Sequence, residues 1–198
     1  MAKIKLTKNE LKKQKDSLKR FERYLPTLQL KKQQLQMVIR QVEHTRREKT
    51  DEQEQLSNEL ENWIAVFGEN ADIKNLIALG EIVTDTGNIA GVDIPVFKEI
   101  TFKEERYDLF EKPLWVDKGI STLKYALSLF AEIKVLKEQV SLLGEELRIT
   151  TQRVNLFEKV KIPEAREHIR TIRIYLGDQQ TAAVVRGKIA KNNIVKVN

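Results

Sequence analysis

Apolar residues recur every three or four positions through the first third of the chain. From Leu11 to Phe67, alternating steps of three and four reach seventeen positions, and twelve of them are apolar. An apolar repeat of 3.5 residues sustained over this length is typical of a coiled-coil helix. At 1.5 Å per residue, the predicted helix is roughly 85 Å long. Gly68 follows the last apolar position and is expected to end the helix.

A second segment with the same periodicity lies in the C-terminal half of the chain. Between Ala126 and Phe157, nine of the ten positions with 3–4 spacing are apolar, and Thr150 is the exception. We expect this helix to begin near residues 116–118, after Pro113.

The apolar pattern of the second helix shifts by one residue after Phe157 and resumes at Ile162. Pro163 lies at this shift, where a proline removes a helix hydrogen bond and bends the axis. Further along, Gly177 and Gly187 are the positions at which we expect the helix to fray.

The pattern between the two helices is different. Residues 81–102 are rich in Val, Ile, Thr and Phe, and turn-forming residues interrupt them. This composition predicts one or two short β-hairpins. Residues 70–79 are a candidate short helix, and Pro95 requires an edge position in a sheet. The turn-forming residues are Asp85, Gly87, Asn88, Gly91 and Asp93.

These segments predict a mostly α-helical fold. The N- and C-terminal helices form a long antiparallel two-helix coiled coil, and a small insert containing the β-hairpin lies between them. The predicted segments are residues 1–68 for the first helix, 69–117 for the insert and 118–198 for the second helix. In this arrangement both chain ends lie together.

Charge is distributed unevenly along the chain. Residues 1–50 carry a net charge of +10, residues 51–117 a net charge of −11, and residues 118–198 a net charge of +7. Two interpretations remain open at this point. The charges can be solvated helix faces, or the two basic ends can lie side by side and meet an acidic partner.

The sequence contains no recognisable catalytic, cofactor or metal site. It has no cysteine, and its two histidines, His44 and His168, are far apart. A Gly-rich phosphate loop and a recognised nucleic-acid motif are also absent. No apolar run is long enough to cross a bilayer, and the N-terminus lacks the apolar core of a signal peptide. These features predict a non-enzymatic, cytoplasmic protein that binds no nucleic acid and does not insert into the membrane.

A family resemblance rests on particular residues. Residues 150–158 read TTQRVNLFE and are followed by Ile162-Pro163, and residues 28–32 read LQLKK. These stretches resemble the D subunit of the V-type (archaeal-type) rotary ATPase, in which T-x-R-R-V-N-A-L-E precedes an Ile-Pro. This chain departs from that pattern at Gln152 and by having Pro26 within the first helix.

The resemblance implies a central rotor shaft without a cofactor of its own. Its implied partners are a ring of catalytic and non-catalytic subunits, a small companion stalk protein (the F subunit), and a rotor subunit on the membrane side. Such a shaft couples ATP synthesis or hydrolysis to proton or sodium transport, and it is peripheral to the membrane. The alternative is a prefoldin-like chaperone subunit, which also has two long helices joined by β-hairpins.

Two sets of partner-binding residues are expected. The basic ends are predicted to contact the catalytic ring. An apolar stripe on the second helix is expected to face the polar residues 43–55 of the first helix, where either the stems of long Lys and Arg side chains cover it or the companion subunit does. We predict that the companion subunit covers it. The ring set is Lys12, Lys13, Lys31, Lys32, Arg153, Arg166, Arg170 and Arg173, and the companion set is Leu136, Val140, Leu143 and Leu147.

Overall fold

The computed structural model describes residues 4–61, 77–104, 113 and 115–197. These residues form long helices at both ends and an antiparallel pair of strands between them, which confirms the predicted fold class. In chain order the elements are α1 (Lys8–Glu61), β1 (Ile77–Ile89), β2 (Val92–Glu104), α2 (Val116–Leu156), a π-helical turn (Phe157–Lys161) and α3 (Ile162–Val197).

A hydrogen bond at the first turn accompanies the start of each long helical segment. The Thr7 hydroxyl accepts a hydrogen bond from the Glu10 backbone N–H at 3.2 Å, so α1 begins at Lys8 with a capped first turn. The spacing Thr-x-x-Glu is the capping-box pattern. The second helix begins at Val116, as predicted, and the Val116 N–H donates to the carbonyl of Pro113 at 3.0 Å.

Three expectations about element ends have different outcomes. Gly177 and Gly187 do not end the last helix, because both lie inside α3. The short helix expected over residues 70–79 is wrong at positions 77–79, which belong to β1, while its other residues lie outside the described part of the chain. The stop expected at Gly68 also lies outside it.

The hairpin has one tight turn. Ala90 and Gly91 both have positive φ angles, of 53° and 77°, between the paired residues Ile89 and Val92. Positive φ at both central residues is the geometry of a type I′ turn, whose twist matches that of the strands. Beside the turn, the side chain of Asn88 accepts a hydrogen bond from the Gly91 N–H.

The chain divides into two compact units, and each is described by itself. The hairpin unit is Gln33–Arg148, and the basic unit is Met1–Lys32 with Ile149–Asn198. The hairpin unit carries 14 basic and 22 acidic residues, a net charge of −8, whereas the basic unit carries 21 and 7, a net charge of +14.

In the hairpin unit, the β-hairpin packs along α2. Near its turn, Ile94 is buried with Leu35 of α1 and Leu143 of α2. At its other end, Ile77 is buried with Val116 and Ile120 of α2. Between these clusters, the Gln139 side chain donates a hydrogen bond to the Pro95 carbonyl. The hairpin therefore covers α2 over much of the length of the helix.

In the basic unit, α3 supplies the buried stripe and α1 does not. Ile162, Ala165, Ile169 and Ile172 are buried at helical spacing, while no described residue before Leu35 in α1 is buried. The predicted phase shift corresponds to the π-helical turn, where the Ile162 N–H donates to the Phe157 carbonyl five residues earlier. A π-turn holds one residue more than an α-turn, so it produces a shift of one residue.

Candidate partner-binding surfaces

A positively charged groove runs between α1 and α3 in the basic unit. Its apolar floor includes Leu11, Leu18 and Ile169. Lysines of α1 line one side and arginines of α3 line the other, each at steps of three or four that place them along one face of their helix. The groove has seven cationic residues and two acidic ones, Asp16 and Glu22. The cationic residues are Lys8, Lys12, Lys15, Lys19, Arg166, Arg170 and Arg173.

Few of these cations are neutralised within the chain. Arg166 forms an ion pair with Glu22 at 2.9 Å, which links the two sides of the groove, and Arg170 lies 3.9 Å from Glu167. Both pairs are exposed, so each contributes little to stability, about 0–1 kcal/mol. The four lysines and Arg173 make no ion pair with any residue that the structure describes.

The eight basic residues predicted for the ring all lie in the basic unit. Lys12 and three arginines line the groove, whereas Lys13 lies beside it on α1. Lys31 and Lys32 are half-buried, and Arg153 is exposed. The predicted set left out Lys8, Lys15 and Lys19, which also line the groove. Together with Lys12 they follow one another at steps of three or four residues, so the sequence spacing could have identified them.

The expected alignment of α1 with α2 is wrong. It placed residues 43–55 opposite the apolar stripe, but Lys49 forms an ion pair with Glu132 at 3.4 Å, four residues before that stripe begins at Leu136. Similarly, the Tyr125 hydroxyl donates a hydrogen bond to Glu52. Lys49 and Glu52 therefore meet polar partners in the first half of α2, and Leu143 of the apolar stripe packs against Leu35 and the hairpin instead.

The four residues predicted to bind the companion subunit differ in how accessible they are. Leu143 has no exposed surface, because it packs with Leu35 and with Ile94 of the hairpin. It is therefore not free to contact another chain, which corrects that member of the set. Leu136, Val140 and Leu147 are half-buried, and Leu147 also packs against the cluster of Leu35, Ile94 and Leu143. Leu123 and Phe130, seven residues apart on the same helix, are exposed, and the Phe130 side chain is 59% exposed.

Lys49, Glu52 and Tyr125 form a polar cluster between α1 and α2. The hydrogen bond from Tyr125, followed by contacts with Lys49, lowers the pKa of the Glu52 carboxyl. The same hydrogen bond raises the pKa of the Tyr125 hydroxyl. Glu52, with Glu132 in support, raises the pKa of Lys49. The cluster holds charge by pairing, and nothing in it resembles a catalytic arrangement.

Two kinds of site are missing from the part of the chain that the structure describes. It has no helix that is long and apolar enough to cross a membrane. It also brings together no group of three or more His, Cys, Asp or Glu side chains that could hold a metal ion.

Comparison with known proteins identifies the family. The family model of the ATP synthase D subunit matches residues 10–192. The chain belongs to the family of ATP synthase D subunits. It is 56% identical to the D subunit of the V-type ATP synthase of Borreliella burgdorferi over 198 residues, which are all of this chain and 98% of that relative. It is 33% identical to the protein of the same name in Chlamydia pneumoniae, with 96% of this chain and 93% of the relative covered.

Membership in this family confirms the resemblance seen in the sequence. It also confirms the prediction of a non-catalytic central-stalk subunit of a V-type rotary ATPase, and it gives no support to the chaperone alternative. The surfaces described above are therefore candidate contacts with other subunits of such a complex.

Proposed function

We propose that this subunit is the rotating shaft that couples ATP turnover in a catalytic ring to proton or sodium movement in the membrane sector. The basic unit enters the ring of alternating catalytic and non-catalytic subunits. The hairpin unit faces the membrane-side rotor, and the companion F subunit binds alongside α2. The shaft lies on the cytoplasmic side, peripheral to the membrane, and carries no cofactor.

The observation that supports this division most directly is the charge of the two units. The basic unit carries a net charge of +14 and the hairpin unit −8. A strongly basic surface favours rapid encounter with an acidic socket, and it repels other basic surfaces. An asymmetric shaft inside a three-fold ring contacts its three catalytic sites differently. Each step of rotation then changes which site is open and which is closed.

The proposed companion surface is the accessible side of α2, where Leu123 and Phe130 are exposed. Exposed aromatic and aliphatic side chains along one helix are typical of a protein interface. We expect Leu123→Lys with Phe130→Lys to weaken companion binding at least tenfold. Leu30→Lys with Met37→Lys on α1, where the side chains are 60% and 66% exposed and also seven residues apart, is the matched control. Unchanged binding by the double variant would place the companion elsewhere.

Rotation can be tested by cross-linking because the chain has no cysteine. Arg173→Cys is introduced on the exposed side of α3, and the reconstituted complex is linked from this thiol to the ring by a reducible reagent. We expect ATP hydrolysis to stop on linkage and to return on reduction. The control links Glu22→Cys to Arg166→Cys within the shaft, where the native side chains form an ion pair. Full turnover with the ring link in place would contradict a rotating shaft.

A further inference from the structure

The groove between α1 and α3 combines charge with an apolar floor. Lys12 and Arg170 lie on opposite sides, and Leu18 and Ile169 lie between them. Ile174 also lines the groove, and it is 57% exposed. A groove that only attracted small anions would not need apolar side chains along its floor. The arrangement suits a ligand that is apolar on one face and negatively charged along both edges.

The α1 side of the groove is as long as a helix of about four turns, and the α3 side, from Arg166 to Ile174, is as long as about two turns. On α1 the lining residues extend from Lys8 to Glu22. At 1.5 Å per residue, this distance is roughly 21 Å, the length of about fourteen helical residues. Helices that dock into grooves do so through apolar side chains at positions i, i+3 or i+4, and i+7.

The concentration of positive charge opposes the stability of the free chain. Lys8 and Lys12 are four residues apart, as are Lys15 and Lys19, and Arg166 and Arg170. Like charges at this spacing on one helix repel each other. An incoming row of carboxylates would relieve this repulsion on both sides of the groove, and arginines can bind carboxylates with two hydrogen bonds.

We infer that this groove is a docking site for an amphipathic acidic helix of a partner protein, which lies between α1 and α3 as a third helix. Its apolar face contacts Leu11, Leu18 and Ile174, and its Asp or Glu side chains pair with the lysines and arginines on either side. The inference rests on the proposed function only in its expectation that the helix comes from a subunit of the catalytic ring.

The test measures binding of a labelled synthetic peptide to the full chain by fluorescence anisotropy. The peptide has about sixteen residues, slightly more than the groove spans, with leucines along one helical face and glutamates on both flanks. We expect Lys12→Glu with Arg170→Glu to raise the Kd roughly tenfold or more. The control, Arg23→Glu with Lys159→Glu, makes the same change in net charge at exposed positions that do not line the groove, and it should leave the Kd nearly unchanged.

A second pair of variants tests the apolar floor without changing charge. Ile174→Gln should raise the Kd several-fold. Val184→Gln, at a 59% exposed position on the same helix that does not line the groove, should not change it. Circular dichroism of each variant confirms that the helices are retained. Equal effects of the two glutamine variants would overturn the apolar part of the inference.

Two further ligands separate this inference from simple attraction of anions. A peptide of the same composition but scrambled order keeps the charge and loses the apolar face, so it should bind at least several-fold more weakly. Linear inorganic polyphosphate should compete only weakly. Equal binding of the scrambled peptide, or complete displacement by micromolar polyphosphate, would make the groove a general anion site and overturn the inference.

Failure of this inference is distinguishable from failure of the proposed function. The same variants are mixed with the catalytic ring, and co-sedimentation is measured. If the native chain joins the ring but does not bind the peptide, the docking inference is wrong and the shaft proposal stands. If the chain binds the peptide through the groove but never joins the ring, the shaft proposal is wrong.

Discussion

The hairpin unit packs α1 with α2, the basic unit packs α1 with α3, and the two units bury these helices to different extents. In the hairpin unit, a third element packs against the helices, and Leu35, Ile94 and Leu143 form a closed cluster. In the basic unit, the described residues contribute only helices, and residues 4–32 include no buried side chain. The buried side chains described in the basic unit all lie between residues 150 and 172, so α1 leaves its own apolar side chains partly open there. In the hairpin unit the third layer helps to bury a residue of each helix, Leu35 and Leu143.

The largest effect should come from breaking the closed core. Leu143→Ala removes a fully buried side chain of α2 that packs against both α1 and the hairpin. Such a change lowers the free energy of unfolding by about 2–5 kcal/mol. Leu142→Ala at the neighbouring exposed position should cost far less. Urea unfolding followed by circular dichroism measures both. Similar losses for the two variants would mean that the hairpin does not close the core.

The second effect concerns the charge difference between the units. Reversing Lys12 and Arg173 to Glu should slow association with the catalytic ring by roughly tenfold at low salt and weaken its dependence on salt. Reversing Lys103 and Lys137 in the hairpin unit should have little effect on the same rate. Stopped-flow mixing at several salt concentrations provides the measurement. Equal slowing by the two sets would show that only net charge matters.

A smaller effect is expected from a buried hydroxyl group in the basic unit. The Thr150 side chain is buried, and its hydroxyl oxygen has no hydrogen-bond partner among the described residues. Thr150→Val replaces that hydroxyl with a methyl group of similar size, so it should stabilise the chain by about 1 kcal/mol. Thr151→Val, at a half-buried position, is the control. Destabilisation by Thr150→Val in thermal unfolding would mean that the hydroxyl has a partner after all.

The smallest effect concerns the polar cluster of the hairpin unit. Tyr125→Phe removes the hydrogen bond that contributes most to lowering the pKa of Glu52, so that pKa should rise towards the ordinary carboxyl value. A lowered carboxyl pKa stabilises the fold at neutral pH, and this contribution is lost as the pH falls through the folded-state pKa. The stability difference between the native chain and the variant should therefore shrink on acidification.

Side-chain NMR titration of Glu52 measures this pKa directly. Tyr175→Phe removes a hydroxyl from the other unit and should leave the titration of Glu52 unchanged. A difference in stability that persists at low pH would show that Tyr125 acts through packing, without the carboxylate.

Periodicity predicted the helices well because burial along a helix repeats with the helical turn. The phase shift between Phe157 and Ile162 located the π-turn, and Thr7 and Glu10 carried a readable start signal for α1. The glycines misled because single glycines weaken a helix without ending it. A Cβ at Gly177 or Gly187 would meet no atom within 4 Å, and neither residue has a positive φ.

The pairing of the helices could not be predicted in the same way. Apolar residues on α2 face two partners, since Leu143 contacts both α1 and the hairpin, while Val116 and Ile120 contact the hairpin. A one-dimensional pattern shows that these residues are buried, but it does not show which element covers each of them. The groove could not be predicted for the same reason. Its two sides lie on different helices that only the fold brings together, and Arg166 contacts Glu22 although the two are 144 residues apart in sequence.

The π-helical turn has a consequence for changes in chain length. Inserting or deleting one residue in a continuous α-helix rotates every later side chain by about 100° and turns its buried stripe towards solvent. Phe157–Lys161 confines the extra residue to one turn, and the residues of α3 that follow, from Ile162 to Ile172, keep their buried face. Phe157 itself stacks on Phe21 of α1, with ring centroids 5.4 Å apart. Removing a single residue from this turn is therefore the one shortening of the helix that α-helical geometry could absorb locally.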